Sequence, residues 1–159
     1  MLYSKPELVL LAVRISQEFK LDPALICAHI DVRSHWDSGL TLPTATYYAA
    51  PNRSALESEH RATIWGLMAI SGEFALSQGF ANDLTTLLMP VDNLREGCRL
   101  VLRLSEKFGS PVDALLRWNN FPDREMVEKI LTNLEPYRAL LSRTPSELCT
   151  FFDACKTLL

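Results

Sequence analysis

The chain has 159 residues, enough for one domain built around a single core. Its 48% hydrophobic and 22% charged content excludes a disordered chain, and no apolar run reaches the roughly 18–20 residues that a membrane-spanning helix needs. A net charge of -3 and a pI near 5.6 argue against a nucleic-acid surface, which is usually basic. They leave open a glycan ligand, which is read by hydrogen bonds and stacking.

Nearly the whole sequence reads as helix. Ser4 can cap a first helix, with Pro6 in its first turn, and Leu8, Leu11, Ala12, Ile15 and Phe19 then recur at helical spacing. Asp22 caps a second helix that starts with Pro23 and carries Leu25, Ile26, His29 and Ile30 on its apolar face; Arg33 falls near its end. Residues 37–53 hold Gly39, Pro43, Pro51 and Asn52 and read as a long loop, of a length that in a compact domain often serves function. Ser54 and Glu57 have capping-box spacing and open a short helix. Residues 65–78 read as another apolar helix, ended by Gly79. A long amphipathic helix follows from Pro90 to Gly109, through Leu94, Cys98, Val101 and Leu102. Pro111 opens a helix ending near Trp118, and residues 125–131, 135–141 and 146–158 are further helical segments. No repeat or low-complexity linker divides the chain, so residues 1–159 are assigned to one domain.

Cys27 and Cys98 lie in apolar helical text and read as buried thiols that behave as small hydrophobes. Cys149 and Cys155 read as free thiols in preference to a disulfide, and neither cysteines nor histidines have the spacing of a zinc site. No metal or cofactor is expected. The apolar stretch from Leu8 to Val13 is short and followed by Arg14, Glu18 and Lys20, so the first 20 residues do not read as a signal peptide.

Four stretches, in order, carry a family resemblance. Asp22-Pro23-Ala24-Leu25 leads into Ile30-Asp31-Val32-Arg33-Ser34; His60-Arg61-Ala62-Thr63-Ile64-Trp65-Gly66-Leu67-Met68-Ala69 follows; then come Leu88-Met89-Pro90-Val91-Asp92-Asn93-Leu94 and Leu115-Leu116-Arg117-Trp118-Asn119-Asn120. Over roughly residues 20–140 this order resembles the lytic transglycosylase domains related to goose-type lysozyme, in particular a phage-associated branch. The resemblance implies an all-α, lysozyme-like helical domain whose partner is a peptidoglycan glycan strand. It also implies a substrate groove lined by Ser34, Gly66, Leu67, Met68, Ala69, Trp118 and Asn119, with Tyr47 and Tyr48 in the long loop. A phage protein delivered by lysis or by a virion tail, or a chain trimmed of its leader, would act on a cell wall without a visible signal peptide.

Three positions depart from the family pattern. Arg33 stands where the catalytic glutamate precedes the serine, Ala69 replaces a glutamine after the Trp-Gly-Leu-Met stretch, and Trp118 replaces a tyrosine. In the family one carboxyl group protonates the leaving oxygen of the glycosidic bond. It then acts as a base while the sugar's own 6-hydroxyl closes a 1,6-anhydro ring. A carboxyl in an apolar cleft can do this near neutral pH. Arginine stays protonated, and its charge opposes an oxocarbenium-like transition state. A second carboxylate could act in its place. Asp31 is about 200° away around the helix from Arg33, so Glu73 and Glu59 are the first candidates. An ion pair from one of these glutamates to Arg33 is expected in preference to such a rescue.

Each of these residues also has a plainer reading. Trp36, Trp65 and Trp118 could stack on sugars or pack in the core. His29 could be a satisfied histidine on a half-buried face. Arg33 could complement the dipole at its helix end, or contact an anion such as a lactyl or peptide carboxylate. The leading reading is a monomeric domain that interacts with peptidoglycan and has lost cleavage. The alternatives are an active muramidase or transglycosylase with a relocated acid, and a structural or interaction module whose groove takes a protein partner and no sugar.

Overall fold

The computed structural model describes residues 3–44 and 52–143. It is mainly helical, with one small sheet. The first helix, α1 (Lys5–Glu18), begins at Ser4, whose backbone N–H donates to the Glu7 carboxylate at 2.7 Å. Leu8, Val9, Ala12 and Ile15 form its buried face. Helix α2 (Pro23–Ser34) starts where the Asp22 carboxylate accepts from the Ala24 N–H at 2.9 Å. Residues 24–30 are all buried, and the helix stops where His35 and Trp36 adopt left-handed backbone angles.

The expected loop and the helix after it are partly strands. The strand β1 (Thr41–Pro43) pairs antiparallel with β2 (Thr63–Trp65), which pairs with β3 (Ile70–Ser71) in the order β1-β2-β3. Between β1 and β2 lies α3 (Ala55–Arg61), capped by the Ser54 hydroxyl as its sequence predicts. Where residues 65–78 read as one helix, the chain instead makes a hairpin with a four-residue tip, Gly66 to Ala69. Only α4 (Gly72–Ser77) is helical there. An apolar run such as residues 64–70 fits a buried strand as well as a buried helix. Gly66 decides between them. It takes a φ of +62°, and a Cβ there would collide with the Leu87 carbonyl and the Asn93 amide.

A short 3-10 turn (Leu84–Leu88) leads into α5 (Pro90–Phe108), the longest helix, which ends at Gly109 with a φ of +108°. Then follow α6 (Pro111–Leu116), a 3-10 turn at Trp118–Asn120, α7 (Arg124–Thr132) and α8 (Leu134–Leu141). Helix α5 packs on α1 and α6, and α2 packs on α1, α7 and α8. Their buried side chains join the hairpin tip in one core. Met68 is fully buried and lies on Gly97 of α5, where a Cβ would come within 2.6 Å of the Met68 Cγ. Cys27 and Cys98 are buried free thiols. No described helix is long and apolar enough to cross a membrane. Tyr47, Tyr48, Cys149, Cys155 and the helical segment expected over 146–158 lie outside the described residues.

The hairpin tip is fastened to α5 by Asn93. Its Oδ1 accepts from the Met68 N–H at 2.7 Å, and its Nδ2 donates to the Trp65 and Leu87 carbonyls at 3.0 and 2.8 Å. Asn93→Ala removes the side-chain partner of three backbone groups in the buried hairpin region and should cost about 2–4 kcal/mol. Urea unfolding measures this; a loss below about 0.5 kcal/mol would mean that the hairpin holds its shape without Asn93.

Candidate functional site

Three distant stretches of sequence converge on one peptide unit. The Met68 carbonyl accepts from Trp118 Nε1 at 3.1 Å and lies 3.1 Å from His29 Nε2, while the Met68 N–H is held by Asn93. The Ala69 carbonyl accepts from Asn119 Nδ2 at 2.9 Å and from Trp118 Nε1 at 3.3 Å. The Asn119 Oδ1 then accepts from the Ser71 N–H at 2.9 Å. Asn119 presents both ends of its amide to the hairpin because its own backbone is left-handed, with a φ of +58°, a conformation that asparagine tolerates. Ala69 also has a positive φ, +50°, inside the hairpin tip.

This network fixes the charge state of His29. A carbonyl only accepts, so His29 Nε2 carries the proton and Nδ1 is a bare acceptor in the neutral ring. The imidazole is fully buried and meets the Trp118 ring edge-on at 4.8 Å. Burial, and after it the nearby charge of Arg33, hold its pKa down at about 3.

Arg33 lies one turn along the same helix face, in the last turn of α2, where a cation complements the helix dipole. The residue is half-buried, but its Nε and Nη2 atoms are buried without hydrogen-bond partners. Burial lowers the guanidinium pKa, and the charge of Asp123 opposes that shift. Asp123 is itself engaged, since its Oδ1 caps α7 by accepting from the Met126 N–H at 3.0 Å. His29 Nδ1 and the two Arg33 atoms are the only buried side-chain nitrogens or oxygens without a partner among the described residues.

The other sequence-predicted residues fall into three groups. Ser34, Gly66, Leu67, Met68, Ala69 and Trp118 are buried, with the Ser34 hydroxyl turned back onto the Ile30 carbonyl at 3.1 Å. They form the support beneath the site. Asn119 is half-exposed. The third group is the candidate acids, and neither of them pairs with Arg33. Glu73 accepts from Arg61 at 3.0 Å, and Arg61 also holds Glu57 at 3.0 Å. Glu59 is exposed on α3. The expected ion pair between Arg33 and one of these glutamates is therefore not formed; Asp123 supplies the neighbouring negative charge.

The tryptophans do not make a sugar platform. Trp118 is fully buried, and Trp36 and Trp65 are each 5% exposed. Their indole N–H groups are used inside the protein. Trp36 donates to Asp31 and to the Tyr137 hydroxyl, and Trp65 to the His60 carbonyl. Asp31 therefore faces away from Arg33, toward Trp36 and Lys5.

Sequence reasoning passed over the roles of Asn93 and Asp123. Asn93 carries a signal, a polar residue inside the buried stripe of a helix opened by Pro90. Asp123 reads only as the residue before a helix start, and nothing local connects it with Arg33, 90 positions earlier. Among the described residues no group of histidine, cysteine and carboxylate side chains could hold a metal ion. A cavity of about 320 Å³ between α1, the start of α2 and α8, bordered by Val13, Pro23 and Leu141, includes none of the expected site residues.

No protein-family model, curated protein or solved structure matches this chain.

Two predictions concern the paired residues of α2. The folded pKa of His29 lies below its unfolded value of about 6.5, so its contribution to stability is full above that pH. It is lost progressively as the pH falls toward 3. Between pH 6.5 and 4 the native protein should lose melting temperature more steeply than His29→Gln; parallel curves would rule out a buried neutral imidazole. Arg33→Met removes two unpaired buried donors and should raise the urea midpoint, by the equivalent of about 1 kcal/mol. A lowered midpoint would show that Arg33 has a stabilising partner.

Proposed function

We propose that this chain is a lysozyme-like domain of the lytic transglycosylase type that holds a peptidoglycan strand without cleaving it. The observation that carries the reading is the convergence at Met68. The helix that opens with Asp-Pro-Ala-Leu, the Trp-Gly-Leu-Met stretch and the Trp-Asn pair resemble the family by sequence alone and lie up to about 90 residues apart. In the fold they are tied by direct hydrogen bonds, His29 and Trp118 to Met68 and Asn119 to Ala69. Resemblances arising by chance in unrelated segments have no reason to meet. The order of a capped helix, a small antiparallel sheet and a long buried helix also supports the reading.

The loss of cleavage follows from the groups at that point. General acid–base work on a glycosidic bond needs a group that gives and takes a proton near neutral pH. Arg33 keeps its proton, and its charge opposes the positive charge that develops on the sugar ring. His29 is neutral, with Nε2 bound to a carbonyl and a pKa too low for a useful base. Glu73 is tied into the pair with Arg61, and Glu59 points into solvent from another helix. Asp123, the carboxylate next to Arg33, is engaged at the start of α7 by the Met126 N–H, so neither it nor the two glutamates offers a free carboxyl to a strand bound here.

The test compares the native protein with Arg33→Glu on purified peptidoglycan, reading the release of anhydro-muropeptides and the retention of protein on sacculi. The native protein should be retained and release nothing, while Arg33→Glu should show measurable release. Cleavage by the native protein would end the non-cleaving reading and turn attention to Glu73→Gln. Absence of retention in both proteins would end the glycan reading and favour a protein partner.

A further inference from the structure

We propose that Phe121 is a stacking platform for one pyranose ring of a bound glycan, with the amides of Asn119 and Asn120 at its edge. The proposal deepens the strand-binding reading above, on which the identity of the glycan rests.

Phe121 is the most exposed large hydrophobic side chain among the described residues, at 74%. A ligand therefore reaches its ring without rearrangement of the protein. Single exposed apolar residues are ordinary on a surface, but Phe121 is set apart by its place and its rigidity. It is the central residue of a short bridge. At one end Asn119 donates to the Ala69 carbonyl and accepts from the Ser71 N–H, at 2.9 Å each. At the other end Asp123 caps α7 and brings its charge to Arg33. The bridge thus joins the hairpin to the neighbourhood of the α2 end.

The backbone at Phe121 has little freedom. Its N–H donates to the Trp118 carbonyl at 3.1 Å, and Trp118 is itself fastened to Met68. Asn119 and Asn120 are both left-handed, with φ of +58° and +59°. Pro122 then favours the extended angles that Phe121 adopts, φ -118° and ψ 112°. A ligand that covers the ring has only side-chain torsions left to order.

The surroundings suit a sugar. A pyranose offers a face of C–H groups, whose partial positive charge is drawn to the negative face of an aromatic ring. Its rim of hydroxyl and acetamido groups needs hydrogen bonds. Asn120 is exposed beside Phe121, and its amide makes no hydrogen bond among the described residues. Asn119 is half-exposed and has a second Nδ2–H beyond the one that goes to Ala69. Apart from Pro122, the exposed neighbours Arg117, Arg124 and Glu125 are charged, so the ring does not belong to the wider apolar patch that a protein partner would cover. The three tryptophans, all turned inward, leave the stacking role to this ring.

The experiment uses the full chain and, as probe, the soluble tetramer of N-acetylglucosamine, with titration calorimetry for affinity. Phe121→Leu keeps an apolar side chain but removes the ring, and Phe121→Trp enlarges the ring. Both change an exposed side chain, so both should melt with the native protein. Phe121→Leu should weaken binding about fivefold. Phe121→Trp should bind at least as tightly as the native protein. Because the native tryptophans are all buried, its new indole is the one open to solvent, and its emission should move to shorter wavelength as the tetramer covers it. No binding by the native protein, equal affinity in Phe121→Leu, or an unmoved emission in Phe121→Trp overturns the proposal. Sacculus retention separates it from the reading on which it rests. Retention that is equal in native protein and Phe121→Leu, with no ring-dependent binding of the tetramer, sinks the platform alone. Ring-dependent binding of the tetramer without retention upholds the platform and sinks the peptidoglycan reading. Failure of both sinks both and favours a protein partner.

Discussion

The peptide unit of Met68 is the joint on which the arrangement depends. Its N–H goes to Asn93 on α5, and its carbonyl takes Trp118 and faces His29 on α2. Three separate parts of the chain are thereby fixed to one hairpin tip. The side chain of the same residue fills the space above Gly97. A hairpin tip that enters a core brings backbone groups that must be paired, and this tip meets a donor or acceptor at each turn. Gly66 permits the entry, because its left-handed backbone and missing Cβ let the chain pass against the Leu87 carbonyl.

The joint also sets the electrostatics of the neighbouring helix end. Once His29 must donate to Met68, it is committed to one tautomer, and burial keeps it neutral. Arg33, one turn further on, therefore brings the only charge of that pair, next to a ring that cannot share or offset it. Asp123, at the start of α7, lowers the cost without pairing with the buried Nε and Nη2. The result is a helix end with charge balance but incomplete hydrogen bonding.

Much of the helical frame was legible because its signals are local. Asp22-Pro23, Ser54 with Glu57, and Pro90 with Gly109 each place a cap or a stop where the structure has one. The hairpin was misread because Trp65 to Ile70 is apolar throughout, so periodicity gives no preference, and β1 was hidden in a stretch dominated by Gly39 and Pro43. The decisive facts there are tertiary. They are the Leu87 carbonyl beside Gly66 and the Asn93 amide between two loops. In the same way the sequence singled out Arg33 and Trp118 but not their situation. An indole looks alike in sequence whether it stacks on a sugar or donates to Met68 from inside the core, and the carboxylate nearest in effect to Arg33 comes from the far side of the chain.

Gly66, Met68, Asn93 and Trp118 are demanded by the fold itself, since each fills a place that an alternative residue would leave clashing, empty or unpaired. Their presence follows from building this hairpin into this core, whether or not any glycan is cut. Arg33 is different. It ends a helix at the border with solvent, and the fold makes little use of its guanidinium, which is left with two unpaired donors. A glutamate there would oppose the helix dipole that the guanidinium complements. The scaffold therefore favours a cation at that position chiefly through the helix dipole. A guanidinium keeps its proton at neutral pH, so Arg33 brings a fixed charge beside an imidazole held neutral by its burial.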